Sequence, residues 1–151
     1  MATNPVSLPH STIPTRANLL AFIRRLCDEE EYESEEGRWI FRSGGDSGRC
    51  TDGAKKVAIE FDGLVVGYRT ADNPSAVVPK YVDGHDFALI AGRFVVDYWA
   101  CHVANEVDRT VFDLNDSEEA KLVRHYFGKQ TAWQTISISD EDTLRLRIGC
   151  K

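Results

Sequence analysis

The chain has 151 residues, 42% of them hydrophobic and 28% charged, with 18 basic side chains against 24 acidic ones for a net charge of −6. That length fits one domain burying roughly 70% of its unfolded surface, and the composition excludes a disordered chain. The acidic balance disfavours nucleic acid, and no apolar run approaches the ~20 residues of a membrane span.

Residues 1–14 hold three of the five prolines, Pro5, Pro9 and Pro14, and read as an extended arm; residues 15–151 read as a single domain. The arm lacks the basic and apolar regions of a Sec signal, so a cytoplasmic location, or export by a route without that signal, is expected. Thr15 is a candidate N-cap for a first helix, in which Leu19, Leu20, Ile23, Leu26 and Cys27 share a face. The acidic stretch that follows, Asp28–Glu31 with Glu33, Glu35 and Glu36, reads as a solvated helix end and turn, and residues 38–42 as a short strand. Ser43–Gly48 is a loop by composition, and it lacks the GK[ST] ending of a phosphate loop.

Cys50, Ala54, Val57, Ala58 and Phe61 fall on one helical face, which predicts a second helix over 50–61 with Cys50 as its first inward residue. Leu64–Tyr68 reads as a strand, and residues 71–82 as a proline-bearing loop. His85–Ile90 and Arg93–Tyr98 read as two strands joined around Ala91-Gly92. Residues 98–107 fit neither period. Val111–Leu114 reads as a strand, and Asn115 or Asp116 caps a helix that runs to Phe127 and stops at Gly128. Ile136, Ile138, Leu144, Leu146 and Ile148 alternate with polar residues, which predicts a terminal hairpin. Trp39, Tyr98, Trp99 and Trp133 are expected in the core, with Trp99 as a possible wall of a cleft.

Four cysteines, Cys27, Cys50, Cys101 and Cys150, form no CxxC pair and are expected as reduced thiols. Cys50 differs from the rest by its place at a helix start. Cysteine nucleophiles react as thiolates, and the helix dipole and free N–H groups of a first turn favour that form. The same N–H groups can stabilise an oxyanion. Asp52, in the same turn, works against this.

The candidate bases are His10, His85, His102 and His125. His85, at the head of a strand after a loop, is preferred, with His102 as its rival. Asp97 ends the partner strand. A three-residue loop Ile90-Ala91-Gly92, with Gly92 left-handed, pairs Leu89 with Arg93 and His85 with Asp97, and puts carboxylate and imidazole on one face. Cys101-His102 offers too few ligands for a metal, and Asp113-x-Asn115-x-Ser117 reads as a helix cap rather than a calcium loop.

The order Cys50, His85, Asp97 resembles the papain-like superfamily, and above all its transglutaminase-like branch. The likeness rests on Gly48-Arg49-Cys50-Thr51-Asp52-Gly53-Ala54, Val65–Tyr68, Gly84–Ile90 and Gly92–Asp97, within residues 44–99. It implies a thiol enzyme acting on amide bonds of a protein or peptide: a peptidase, an amidase, or a glutamine deamidase or transamidase. Cys50 is then the nucleophile, His85 the general acid/base and Asp97 the orienting acid. Some relatives place an upstream glutamine or asparagine in the oxyanion hole. Here no glutamine precedes Cys50 and Asn18 lies in the first helix, which leaves the Cys50 backbone N–H.

The expectation is therefore an α+β single domain, with helices on an antiparallel sheet and a papain-like/transglutaminase-like core, needing no metal or organic cofactor. The competing expectation is a non-catalytic interaction module, or an inactive member of the same fold, working through its acidic surface and exposed aromatics.

Overall fold

The computed structural model describes residues 13–33, 39–41, 49–80 and 83–146. The arm up to residue 12 with His10, the loop Ser43–Gly48, and Ile148 and Cys150 lie outside these residues.

Helix α1 (Arg16–Glu30) begins with a reciprocal cap. Asn18 N–H donates to Thr15 Oγ1 at 3.1 Å, and Thr15 N–H donates to Asn18 Oδ1 at 3.0 Å. Leu19, Phe22, Ile23 and Leu26 are buried along one face, while Leu20 is exposed. After α1 the backbone passes directly into β1 (Glu31–Glu33), paired antiparallel with β2 (Trp39–Phe41). A strand thus stands where a turn was expected within the acidic stretch. Helix α2 (Arg49–Phe61) follows, one residue longer at its start than its periodicity predicts.

Among the described residues the central sheet has five antiparallel strands. They are β3 (Leu64–Arg69), β4 (Gly84–Ile90), β5 (Phe94–Val96), β6 (Val111–Asp113) and β7 (Gln134–Ile136), in spatial order β6-β5-β4-β3-β7. Both faces are covered, which is why its strands read as nearly continuous apolar runs. Ala88, Ile90, Phe94, Val96 and Val111 pack under α1 and Val57 of α2. Tyr68, Phe87, Val95 and Phe112 pack on the other face, with Val123 and Phe127 of helix α3 (Ser117–Phe127). Burying a ring such as Phe87, which is fully shielded, stabilises the fold by about 2–3 kcal/mol. The architecture is α+β, as expected.

Two of these expectations, a strand register and the terminal hairpin, need correction. The β4–β5 ladder pairs Leu89 with Val95 and Ile90 with Phe94, not Leu89 with Arg93. Ala91 and Gly92 are both left-handed (φ 56° and 63°) and close a tight turn, with Arg93 N–H donating to Ile90 O at 3.0 Å. Arg93 is held out of the ladder: its carbonyl accepts Leu114 N–H at 2.8 Å and its guanidinium grips Asp113. The shift is two residues, so the parity of β5 survives and Asp97 stays on the face of His85.

The terminal hairpin is half a hairpin. Its first arm is β7, which pairs with β3; its second arm is a helix, α4 (Asp140–Leu146). Ser139 starts that helix, accepting Asp142 N–H on Oγ at 3.0 Å while its own N–H donates to Asp142 Oδ2 at 3.1 Å. The apolar alternation misleads here because Leu144 is 84% exposed whereas Leu146 is 5% exposed.

The ambiguous stretch after Tyr98 is a helical turn, Trp99–Val103. Asp116 caps α3, accepting from Glu118 and Glu119 N–H at 3.0 Å each, and Gly128 stops it with φ 71°. The same cap uses the Asp113–Ser117 stretch as a helix start.

Candidate active site

Cys50 lies half-buried in the first turn of α2, above the buried stripe Ala54, Val57 and Ala58. It opens on a cavity of about 230 Å³ that is also lined by Tyr68, Arg69, His85, Asp86 and Gln134. Beside Cys50, the Thr51 hydroxyl donates to Asp86 Oδ2 at 2.6 Å. Asp52, the acid expected to oppose a thiolate, has Arg145 of α4 at 3.5 Å.

His85 is the second residue of β4 and 2% exposed. Strand alternation turns its ring to the face opposite α2, among Tyr68, Phe87 and Phe127, while Asp86 turns toward α2. His85 and Cys50 nevertheless meet at the end of the sheet, on the wall of one cavity.

His85 Nε2 donates to Asp97 Oδ2 at 2.5 Å. Asp97 follows β5, is itself 2% exposed, and accepts Ala100 N–H on Oδ1 at 2.9 Å. Its N–H donates to Thr110 O at 2.9 Å, so side chain and backbone are both fixed. Among the described residues, buried His85 Nδ1 has no hydrogen-bond partner of ordinary geometry. Burial pushes the imidazole down, but the charge and hydrogen bond of Asp97, and then the Cys50 side chain, push it up to about 10. With Nε2 committed to Asp97, Nδ1 is the ring atom left to exchange a proton with Cys50.

Tyr68 was not anticipated from the sequence. Its buried hydroxyl donates to Val78 O. Burial, then the charges of Asp97, Glu106 and Cys50, holds it far above the usual phenol range, so it stays neutral on the cavity wall. Asp86 and Gln134 also went unnoticed. Asp86 is adjacent to a candidate base, but its partner is 35 residues away. Gln134 reaches the cavity through the long-range pairing of β7 with β3, for which no local signal exists.

The other candidates fall elsewhere. His102 Nε2 bonds Thr110 Oγ1 at 3.0 Å, and His125 is exposed on α3 beside Tyr126. Trp99 packs against the His85 ring, tilted 45° with centroids 5.2 Å apart, rather than lining the cavity, and its buried Nε1 has no partner among the described residues. Tyr98 is buried, and Trp133 packs on Phe87 at 4.9 Å. Among the described residues no three His, Cys, Asp or Glu side chains cluster as metal ligands, and no helix is long and apolar enough to cross a membrane.

These features define an α+β protein in which a thiol at a helix start shares a cavity with a buried histidine that is bonded behind it to a buried aspartate. No family model matches the chain, and neither does any curated protein or solved structure.

Proposed function

We propose that the protein is a thiol enzyme of papain-like or transglutaminase-like type that acts on amide bonds of a peptide or protein through Cys50, His85 and Asp97. The observation that carries this reading is the His85 ring. Nε2 is tied to a buried carboxylate, and among the described residues Nδ1 has no ordinary partner, on the wall of the cavity that Cys50 enters. A buried imidazole without a chemical role gains nothing from leaving one nitrogen unpaired.

The Cys50 thiolate attacks the substrate carbonyl while His85 carries the proton on Nδ1. As the C–N bond breaks, Nδ1–H gives its proton to the leaving amine, or to ammonia if the substrate is a carboxamide, and a thioester remains on Cys50. Water or a second amine then attacks the thioester, passes a proton to Nδ1, and regenerates the thiolate. Asp97 keeps the ring oriented and stabilises its charged form. The Cys50 backbone N–H is the donor at hand for the oxyanion.

Iodoacetamide labelling near neutral pH, read by peptide mass spectrometry, tests the reading. Cys50 is expected to label faster than Cys101, whose thiol is pushed up by burial, and to slow in both His85→Ala and the bulkier His85→Gln. Equal labelling of Cys50 and Cys101 in the natural chain overturns the enzyme reading and favours an interaction module.

A further inference from the structure

Strand β7 begins too late to cover Arg69. Thr70 N–H donates to Asp83 O at 2.7 Å, and the register pairs Tyr68 with His85 and Arg69 with Gly84. Backbone groups along an antiparallel strand alternate between its two neighbours. Tyr68 therefore directs its N–H and C=O at β4, and Val65, Gly67 and Arg69 direct theirs at the other side. There β7 serves Val65 through Ile136 and Gly67 through Gln134. Continued two residues, that register sets Ala132 against Arg69. But Ala132 closes the turn Gln130–Ala132, and its N–H goes to Lys129 O at 3.0 Å. The Arg69 carbonyl caps the turn Thr70–Asp72, so it is the outward N–H of Arg69 that no strand covers among the described residues, at the wall of the cavity that holds Cys50 and His85.

The Arg69 side chain is exposed and equally unengaged, with neither an ion pair nor a hydrogen bond among the described residues. Arg16, Arg93, Arg109 and Arg145 each have a carboxylate partner. Of the other charged groups on the cavity wall, Asp86 accepts from Thr51 and His85 is turned to Asp97.

Building on the reading of Cys50 as nucleophile, we propose that Arg69 selects the substrate. An extended polypeptide segment adds to the open edge of β3 by giving a main-chain carbonyl to the Arg69 N–H, and an acidic side chain of that segment pairs with the guanidinium. Edge pairing of this kind takes its affinity from main-chain hydrogen bonds and its specificity from neighbouring side chains. A small amide lacks the main chain that this edge engages.

The test uses three acetyl-capped tetrapeptide chloromethyl ketones: one with two glutamates before the electrophilic residue, one with two lysines, and the glutamate peptide with every backbone nitrogen methylated. The readout is the rate of Cys50 adduct formation divided by the iodoacetamide rate on the same sample. The glutamate peptide is expected to exceed both others by about fivefold or more, the order of one or two hydrogen bonds. Arg69→Ala is expected to abolish the preference for glutamate over lysine but keep the sensitivity to N-methylation. Arg69→Pro removes the N–H as well. Its φ of −89° lies near proline's range, and by strand alternation that N–H faces away from β4 with no described strand to take it, so the variant is expected to fold and to lose both preferences. Equal ratios for all three peptides, with Cys50 still outpacing Cys101 toward iodoacetamide, overturn this proposal alone. Loss of the iodoacetamide advantage itself overturns the enzyme reading and this proposal with it.

Discussion

Thr51 and Asp86, hydrogen-bonded at 2.6 Å, are the chain neighbours of Cys50 and His85. The bond fastens the first turn of α2 to β4, between the two residues whose separation the proposed chemistry depends on. Room for it comes from Gly67, because a Cβ there would lie 1.9 Å from Asp86 Oδ1. Thr51→Val keeps the shape and removes the donor, leaving a half-buried carboxylate without that partner. A stability loss of about 1–3 kcal/mol in urea unfolding is expected. Cys50 labelling by iodoacetamide is expected to slow several-fold, with Thr51→Ser recovering it. If Thr51→Val loses stability but labels like the natural chain, the bond serves the fold alone.

His85 also sets a pH dependence. Its pKa in the folded chain is pushed up to about 10, chiefly by Asp97 against the opposing effect of burial, whereas an unfolded histidine titrates near ~6.5. Between these values the folded chain holds a proton that the unfolded chain has released. The His85 contribution to stability is therefore fully present below pH ~6.5 and is lost as pH rises toward about 10. Urea midpoints at several pH values across that window are expected to fall for the natural chain. In His85→Gln and Asp97→Asn the fall is expected to be shallower. A slope identical in all three proteins contradicts the ion pair.

How much of this could be read from the residues depends on how local the determinants are. Helix α2 and the inward place of Cys50 follow from a single apolar stripe. The cap and stop of α3 follow from Asp116 and Gly128. The shared face of His85 and Asp97 follows from strand parity, even though the register shifts by two residues. Parity is set by alternation, whereas register depends on how Ala91, Gly92 and Arg93 divide the turn and on the hold of Leu114 and Asp113 on Arg93. Helix α4 was hidden because Ser139 and Asp142 make a local cap within a run that also alternates like a strand. The Thr51–Asp86 bond, the neutral Tyr68 and the open edge at Arg69 arise only when distant segments meet, and no period or spacing announces them.

Gly128 links the end of α3 to the candidate site. Its φ of 71° and ψ of −161° lie in a region almost closed to other residues, and a Cβ there would lie 2.1 Å from Asn73 Oδ1. Asn73 is 2% exposed and its Nδ2 donates to Phe127 O at 2.8 Å, an oxygen that also accepts from Trp133 Nε1 at 2.8 Å. The Phe127 ring in turn stacks on His85 at 6.1 Å. Gly128→Ala therefore strains the backbone and displaces a buried hydrogen-bonded amide, with an expected loss of about 3 kcal/mol or more. Gly92→Ala is the control: φ is 63°, but nothing lies within 4 Å of the added Cβ, so only the left-handed penalty of about 1–2 kcal/mol applies. Urea unfolding of the two variants measures the difference. Equal losses would mean that Asn73 moves aside freely, and that the end of α3 does not hold the wall behind His85.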